Sequence, residues 1–345
     1  MNLAVHGLEG NIQKAISYYE DPHELLGKAD FVLANPPFNV DEVDADKVKR
    51  DPRLLFGLPG VNKSDKVSNG NYLWISYFYS YLNETGRAGF VMSSQASSAG
   101  RDEAKVRRKL IETGAVDIMI AIRQNFFYTR TVPCELWFLS RDKPEDRRDK
   151  VLMLDARNIY RKVTRKIYDF SPEQLQNLLA IVWLYRGQGN RFLELVALYL
   201  EKTLVEAGAC FKKKDEDGQE ENLLADCVIA LELLRKAMQP FIDTLSEDAG
   251  HGEALRELDA VCQTFSREMD NFRQKVEMET AKWEKQGLTN AALNEATACL
   301  ASLAEQSRDL VKQADLLYKH AIRLIDVCEN DIYIDKKATT PGRRK

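Results

Sequence analysis

Five short runs rich in Val, Ile, Leu and Phe set the fold class: DFVLAN (30–35), RAGFVMS (87–93), VDIMIAI (116–122), CELWFLS (134–140) and VLMLDA (151–156). Helical periodicity fills stretches between them, and no further run of this kind occurs after residue 156. Such alternation predicts an α/β fold with a mostly parallel sheet. NYLWISYFYSYLNETG and RDEAKVRRKLIETG read as helices, each closed by a glycine suited to a helix C-terminus. Only the charged turn RDKPEDRRDK separates the last two runs, which predicts that this pair is antiparallel. A polar stretch, Asp41 to Ser68, follows the first strand, and loops of that length are usually functional or mobile.

From about residue 165 the pattern becomes almost purely helical. With 345 residues the chain exceeds the usual size of one domain, and the change of pattern predicts two, 1–160 and 161–345. SPEQLQNLLAIVWLYRG opens the helical part with a serine N-cap and a proline at the first helical position. KKKDEDGQEE (212–221) reads as a solvated linker. Leu255, Cys262, Met269, Val276 and Trp283 then recur every seven residues, with Leu258, Phe265 and Phe272 three places behind each. After the turn KQGLTN a second array follows: Leu303, Leu310, Leu317 and Leu324, with Leu300, Ser307, Ala314, Ala321 and Cys328. Seven-residue spacing makes a narrow apolar seam, so 253–328 is predicted to fold back as an antiparallel coiled-coil hairpin, with Glu279 and Ser307 interrupting its seam. The basic tail KKATTPGRRK is predicted to be disordered.

Composition excludes some roles. There is no run of 18 apolar residues, and MNLAVHGLEG lacks the build of a secretory signal, which predicts a cytoplasmic protein with no membrane contact. The six cysteines form no CxxC pair, so neither a metal site nor a disulfide framework is expected. Net charge is −4, and any nucleic-acid contact must come from local basic patches.

The first strand runs into Asn35-Pro36-Pro37-Phe38. By average residue usage, this tetrapeptide arises by chance in a chain this long with a probability on the order of one in a thousand. It also stands where ligands bind in open α/β sheets, beyond the carboxyl end of a strand. Two successive prolines fix φ twice and offer no N–H. The corner therefore presents acceptors: the Asn35 side-chain oxygen and the Pro36 carbonyl. A planar amino group with two hydrogens, such as adenine's exocyclic amine, suits them. Accepting both hydrogens lets that nitrogen pyramidalise and direct its lone pair at an electrophile without a base. Phe38 can stack on the ring, a contact of about 1–3 kcal/mol. The plain alternative is a strand-ending Asn-Pro turn with a core phenylalanine.

MNLAVHGLEGNI, KADFVLANPPFN, NYLWISYFYSYL, GRAGFVM, VRRKLIETGAVDIMIAI, NFFYTRTVPCELWFLSR and VLMLDAR, in that order, resemble the adenine-specific DNA methyltransferase (modification) subunits of type I restriction-modification systems. The resemblance reaches about residue 157 and is much looser beyond. It implies a partial Rossmann-like class I methyltransferase sheet, S-adenosylmethionine as cofactor, flipped-out adenine in DNA as substrate, and a specificity subunit, with a restriction subunit, as partners. It implies that Asn35 and Pro36 hold the amine, with Pro37 and Phe38 completing the motif, and that an aromatic from Asn125–Tyr128 closes the pocket. Phe126 and Phe127 are the candidates, with a core role for each equally open. The chain departs from the family in two respects: no F-x-G-x-G cofactor motif follows a strand, the segment that normally carries it preceding the one found here, and the family's N-terminal helical domain is not found. The expectation is poor S-adenosylmethionine binding by this polypeptide alone. DFVLAN, which reads as buried on both faces, would then be left as an apolar edge.

Weaker candidates complete the reading. Asp21 is a cofactor-adenine candidate by resemblance, with helix capping the plainer role. His23 reads as surface. Lys105, Arg107, Arg108 and Lys109 form a basic helical turn that suits either phosphates or solvent. Two other functions compete with DNA adenine methylation: a noncatalytic remnant acting through its helical hairpin, and a protein-glutamine methyltransferase. Phe38, where tyrosine is usual, and the hairpin count against the second.

Overall fold

The computed structural model describes residues 2–127, 131–211, 213–214, 220–221, 223–244 and 250–339. The chain divides into two compact units, Met1–Arg186 and Gly187–Lys345. In chain order the first holds α1 (Asn2–Val5), β1 (Ala29–Ala34), α2 (Ala45–Val48), α3 (Asn71–Tyr81), β2 (Leu82–Ser93), α4 (Gln95–Ser98), α5 (Arg101–Glu112), β3 (Val116–Ile122), β4 (Cys134–Ser140), β5 (Leu152–Asp155), β6 (Arg161–Lys162), β7 (Tyr168–Asp169) and α6 (Pro172–Tyr185).

The five expected strands form one sheet in the order β1-β2-β4-β3-β5. β1 lies parallel to β2 and β3 parallel to β5, while β4 runs antiparallel between β2 and β3. The predicted antiparallel relation of 134–140 to 151–156 holds in direction, but the two strands are not neighbours. β3 stands between them, and the charged turn carries the chain past it to the far edge. The helix over 71–86 is also shorter than its pattern. It stops at Tyr81 because Leu82 already pairs with Ala29 across a register shift. Gly86 does not cap that helix. It lies inside β2, where a Cβ would stand 2.7 Å from the Ala29 carbonyl. Gly114, at φ 73°, does follow α5 as expected.

One sheet face packs Ala88, Phe90, Met92, Val116, Trp137 and Leu139 against α3 and α5, through Tyr72, Ile75, Phe78, Val106 and Leu110. The opposite face packs Ile118, Ile120, Ile122 and Cys134 against Leu178, Val182 and Tyr185 of α6. That cover does not reach β1. Val32 and Ala34 join the first core, but Phe31 is 74% and Leu33 85% exposed, on an outer strand. The strand expected to be buried on both faces is buried on one.

α6 begins with a capping box: Ser171 Oγ accepts from the Gln174 N–H at 3.2 Å and Gln174 Oε1 from the Ser171 N–H at 3.0 Å. The helix belongs with the sheet, not with the helices after it, so the boundary falls at 186 rather than 160. Besides its apolar contacts, Arg186 at its end donates to buried Asp117 of β3 at 2.9 Å, and Arg147 donates to the same carboxylate at 3.3 Å.

Residues 41–68 are folded. Val43, Val48 and Val67 are buried with Leu73 and Tyr77 of α3. Arg53, 2% exposed, binds Asp51, the Ser17 and Glu20 carbonyls and the Tyr81 hydroxyl, and lies 4.1 Å from the centre of the Tyr77 ring. Burial opposes its charge, but these bonds hold its ionisation above the ordinary arginine value.

The second unit comprises α7 (Gly189–Ala209), the two-residue strands β8 (Lys213–Lys214) and β9 (Glu220–Glu221), α8 (Leu223–Ile242), α9 (His251–Trp283) and α10 (Asn290–Thr339). α9 and α10 run antiparallel: Glu257 meets Arg323, and Lys275 donates to Ser302 at 2.8 Å. Leu258, Phe265, Phe272, Leu303, Leu310, Leu317 and Leu324 are buried between them. The seam is not theirs alone. Leu200, Leu204 and Phe211 pack into it from α7 and the residues just after it, and Met238 and Ile242 from α8. Glu279, the acidic seam residue, is 8% exposed and pairs with Lys282 at 2.8 Å. The charge run pairs β8 with β9 rather than remaining a simple linker, though 212 and 215–219 lie outside the described residues. α10 continues to Thr339, so the tail is helical over 336–339, and 340–345 lie outside the described residues. Among the described residues no helix is long and apolar enough to cross a membrane, and no cluster of His, Cys, Asp or Glu could hold a metal.

Candidate active site

Ala34 pairs with Phe90, so Asn35 leaves the sheet at the carboxyl end of β1. The residues after β3 (Arg123–Phe127), the start of β4 at Cys134 and the end of β5 at Asp155 reach the same end, because Cys134 pairs with both Ser93 and Ile122, and Ala121 with Asp155. This is where open α/β sheets bind ligands.

Within the corner Pro36 is buried, Asn35 and Pro37 are exposed, and Phe38 is half-buried. Neither the Asn35 side chain nor the Pro36 carbonyl is engaged by a described partner. Two acceptors thus stand at a stiff diproline corner with no donor among the described residues.

The corner is fastened from behind by residues that sequence reasoning missed. Asn39, at a left-handed φ of 56°, donates its N–H to Asn71 Oδ1 at 2.9 Å, and its Oδ1 accepts from Asn71 Nδ2 at 2.9 Å and Asn69 Nδ2 at 3.2 Å. The Gly70 N–H donates to the Val40 carbonyl at 2.7 Å. A Cβ on Gly70 would meet that oxygen and the Tyr18 hydroxyl at 3.1 Å each. The triplet Asn69-Gly70-Asn71 before a helix was the available signal, since asparagine side chains bond nearby main chain readily and glycine permits close approach. Its partner, 30 residues earlier, was not visible.

Phe38 packs between the two cores of the sheet and shares one of them with Phe126 and Phe127. The three sequence-named aromatics thus border one core. Phe126 also meets Phe170, ring centres 4.6 Å apart. Both residues of the pair are half-buried, and Tyr128 lies outside the described residues. Asp21 caps no helix: its carboxylate accepts from the Leu25 N–H at 3.0 Å in a turn. His23 is half-buried rather than a fully exposed surface residue.

The basic turn of α5 is spent within the fold. Lys105 pairs with Asp102 and Arg108 with Glu112; Arg107 donates to the Ala96 and Ala99 carbonyls, and Lys109 to that of Phe56. Tyr72 joins Arg107 there, donating to the Ala96 carbonyl at 2.7 Å. Burial pushes its phenol up to about 12, so it remains a donor. At the start of β4, Glu135 accepts from Ser97 at 2.7 Å and Trp137 at 3.1 Å. Burial raises the neighbouring Cys134 thiol to about 11, which leaves it unreactive.

The cofactor side is different. Among the described residues, no strand runs into glycine at this end: β1 leads to Asn35-Pro36, β2 to Ser94-Gln95, β3 to Arg123-Gln124 and β5 to Ala156-Arg157. None of these strand ends carries the glycine expected beside S-adenosylmethionine.

The family model described as N-6 DNA Methylase matches residues 1–198. The type I restriction enzyme MjaIX methylase subunit of Methanocaldococcus jannaschii is 37% identical over 183 residues, which are 52% of this chain and 32% of that protein. The HindI methylase subunit of Haemophilus influenzae is 28% identical over 180 residues, 52% of this chain and 39% of that one. The chain thus spans less than half the length of these relatives. Among solved structures, a type I restriction-modification methyltransferase subunit from Streptococcus thermophilus aligns with a TM-score of 0.45 and 23% identity, over 52% of this chain and 37% of that one. The match over more than half of the chain, centred on a sheet that ends in Asn-Pro-Pro-Phe, places this protein in the N-6 DNA methylase family.

Proposed function

We propose that this chain supplies the amine-gripping half of a DNA adenine methyltransferase. Asn35 Oδ1 and the Pro36 carbonyl accept the two hydrogens of adenine's exocyclic amine, and Phe38 with Phe126 or Phe127 flanks the flipped base. The observation that supports this reading is the acceptor pair at the diproline corner, which no described residue engages, with Phe38, Phe126 and Phe127 bordering one core. Drawing both hydrogens into the plane of the acceptors frees the nitrogen lone pair for attack on a methyl group. S-adenosylmethionine is the donor we propose for the complete enzyme, and no residue described here is assigned to it.

We assign the second unit to assembly, with a type I specificity subunit as its partner in the cytoplasm and a restriction subunit in the larger complex. On α10, Val311, Tyr318 and Ile325 repeat every seven residues on the outer side, with Ile322 beside them, all exposed. A second seven-residue apolar line facing away from the buried seam suits a partner helix. The same feature serves the alternative reading, a noncatalytic interaction module.

The test uses the complete assembly and tritiated S-adenosylmethionine. Asn35→Ala should lower methyl transfer to DNA by about 100-fold or more, the usual effect of removing one preorganised hydrogen-bonding group from a reacting centre. An undiminished rate overturns the reading.

A further inference from the structure

From Asn158 to Tyr168 the chain carries Arg161, Lys162, Arg165 and Lys166 and no carboxylate. β6 and β7 fold this stretch into an antiparallel hairpin. Arg161 is neutralised by Asp169 at 2.7 Å, but Lys162, Arg165 and Lys166 are exposed and their side-chain cations bond no described residue. Unlike the α5 cations, their charge is unspent.

The hairpin is tied to the carboxyl end of the sheet. The Tyr168 N–H donates to the Asn125 carbonyl at 3.1 Å, which joins it to the loop bearing Phe126 and Phe127, and Phe170 just beyond β7 packs on Phe126 with the rings tilted by 54°. Beneath it, the Arg123 guanidinium lies beside the edge-to-face pair of Tyr160 and Tyr168, 4.3 Å from the centre of the first ring and 4.6 Å from that of the second. No described carboxylate pairs with it, and its buried Nε has no partner. The two rings flank the guanidinium without neutralising it, which leaves its charge for an anion. Arg123 borders an open cleft of about 320 Å³ lined also by Gln124, Pro133, Arg157 and Asn158. Arg157 is already paired with Asp155.

Which anion does such a surface take? A free nucleotide or small phosphate needs an enclosed pocket with converging donors. Here the charges lie along an exposed two-stranded ribbon beside an open cleft, in a chain whose net charge is −4. That layout follows a polymer of phosphates. We propose that Arg123 and the β6–β7 hairpin grip the sugar-phosphate backbone of duplex DNA next to the base held at Asn35. The assignment rests on the DNA adenine reading of that corner.

The test is fluorescence anisotropy of the full chain with a labelled DNA duplex across a salt series, with no methyl donor present. Replacing Lys162, Arg165 and Lys166 by Ala should weaken binding at least tenfold at low salt, and should flatten the plot of log affinity against log salt by about 2.7, three contacts at about 0.9 each. Arg123→Lys, which keeps the charge and loses the fork, should weaken binding without flattening the plot. Lys105→Ala with Arg108→Ala, cations already paired on α5, should change neither quantity. A triple variant with the wild-type slope overturns the proposal, as does a wild-type chain that leaves the duplex anisotropy unchanged at low salt. Because the slope is read without methyl transfer, failure here leaves the Asn35 reading standing. An Asn35→Ala assembly that still methylates DNA overturns that reading without moving the slope.

Discussion

Asn71 grips Asn39 twice, its Oδ1 accepting from the Asn39 N–H and its Nδ2 donating to Asn39 Oδ1, both at 2.9 Å. The pair joins the first residue after the diproline corner to the first turn of α3, and Asn71 is 1% exposed. Truncating it strands the Asn39 N–H, while Asn39 Oδ1 keeps Asn69 Nδ2 at 3.2 Å. Asn71→Ala should therefore cost about 1–2 kcal/mol in urea unfolding followed by the fluorescence of Trp137. It should also reduce methyl transfer by the complete assembly, although Asn71 touches no substrate, because the acceptors of Asn35 and Pro36 lose their fixed direction.

Asp117 is 2% exposed and holds Arg147 and Arg186. Removing one member of a buried ionic group leaves the others uncompensated, at about 3–5 kcal/mol for full burial. Arg186 is partly solvated, which moves the expectation for Asp117→Ala to the lower end, about 3 kcal/mol. Hydrogen exchange should show the loss first at the C-terminal turn of α6, where Arg186 follows Tyr185. Uniform loosening of the whole unit would contradict this.

Glu103 provides a pH test. Burial raises its carboxyl above the ordinary glutamate value against the pull of Arg107, and its Oε1 has no partner. The folded state thus holds this proton more tightly than the unfolded chain. That contribution to stability is complete below the unfolded pKa and is lost as pH rises through the raised one. Glu103→Gln should be more stable than the wild type at about pH 7.5, and the gain should vanish by about pH 4, where both carry an uncharged side chain. Equal stability at the higher pH would show that the carboxylate pays no burial penalty.

Phe31 and Leu33 present an apolar face on an outer strand. Exposed apolar edges promote strand-to-strand association. Replacing both by Lys should lower light scattering of the concentrated chain, while changing unfolding by no more than about 0.5 kcal/mol per site, as for other exposed positions. Scattering that persists would assign the association to another surface.

The sequence by itself determined the local chemistry: five strands at their stated places, the Ser171 cap, the seven-residue leucine seam, and an Asn-Pro-Pro-Phe corner at a strand end. Each is written within a few residues, by the period of apolar side chains or by the conformational limits of proline and serine. Only the tertiary structure decided that β4 enters between β2 and β3, that Leu82 leaves a helical pattern to pair with Ala29, and that α6 belongs to the sheet through Asp117. It also decided that Asn39 meets Asn71 and that Arg123 lies beside Tyr160 and Tyr168. These are choices of partner across 30 to 70 residues. A main-chain amide or a side-chain fork is equally satisfied by many partners, and which one it finds is fixed by how the whole sheet buries its two faces.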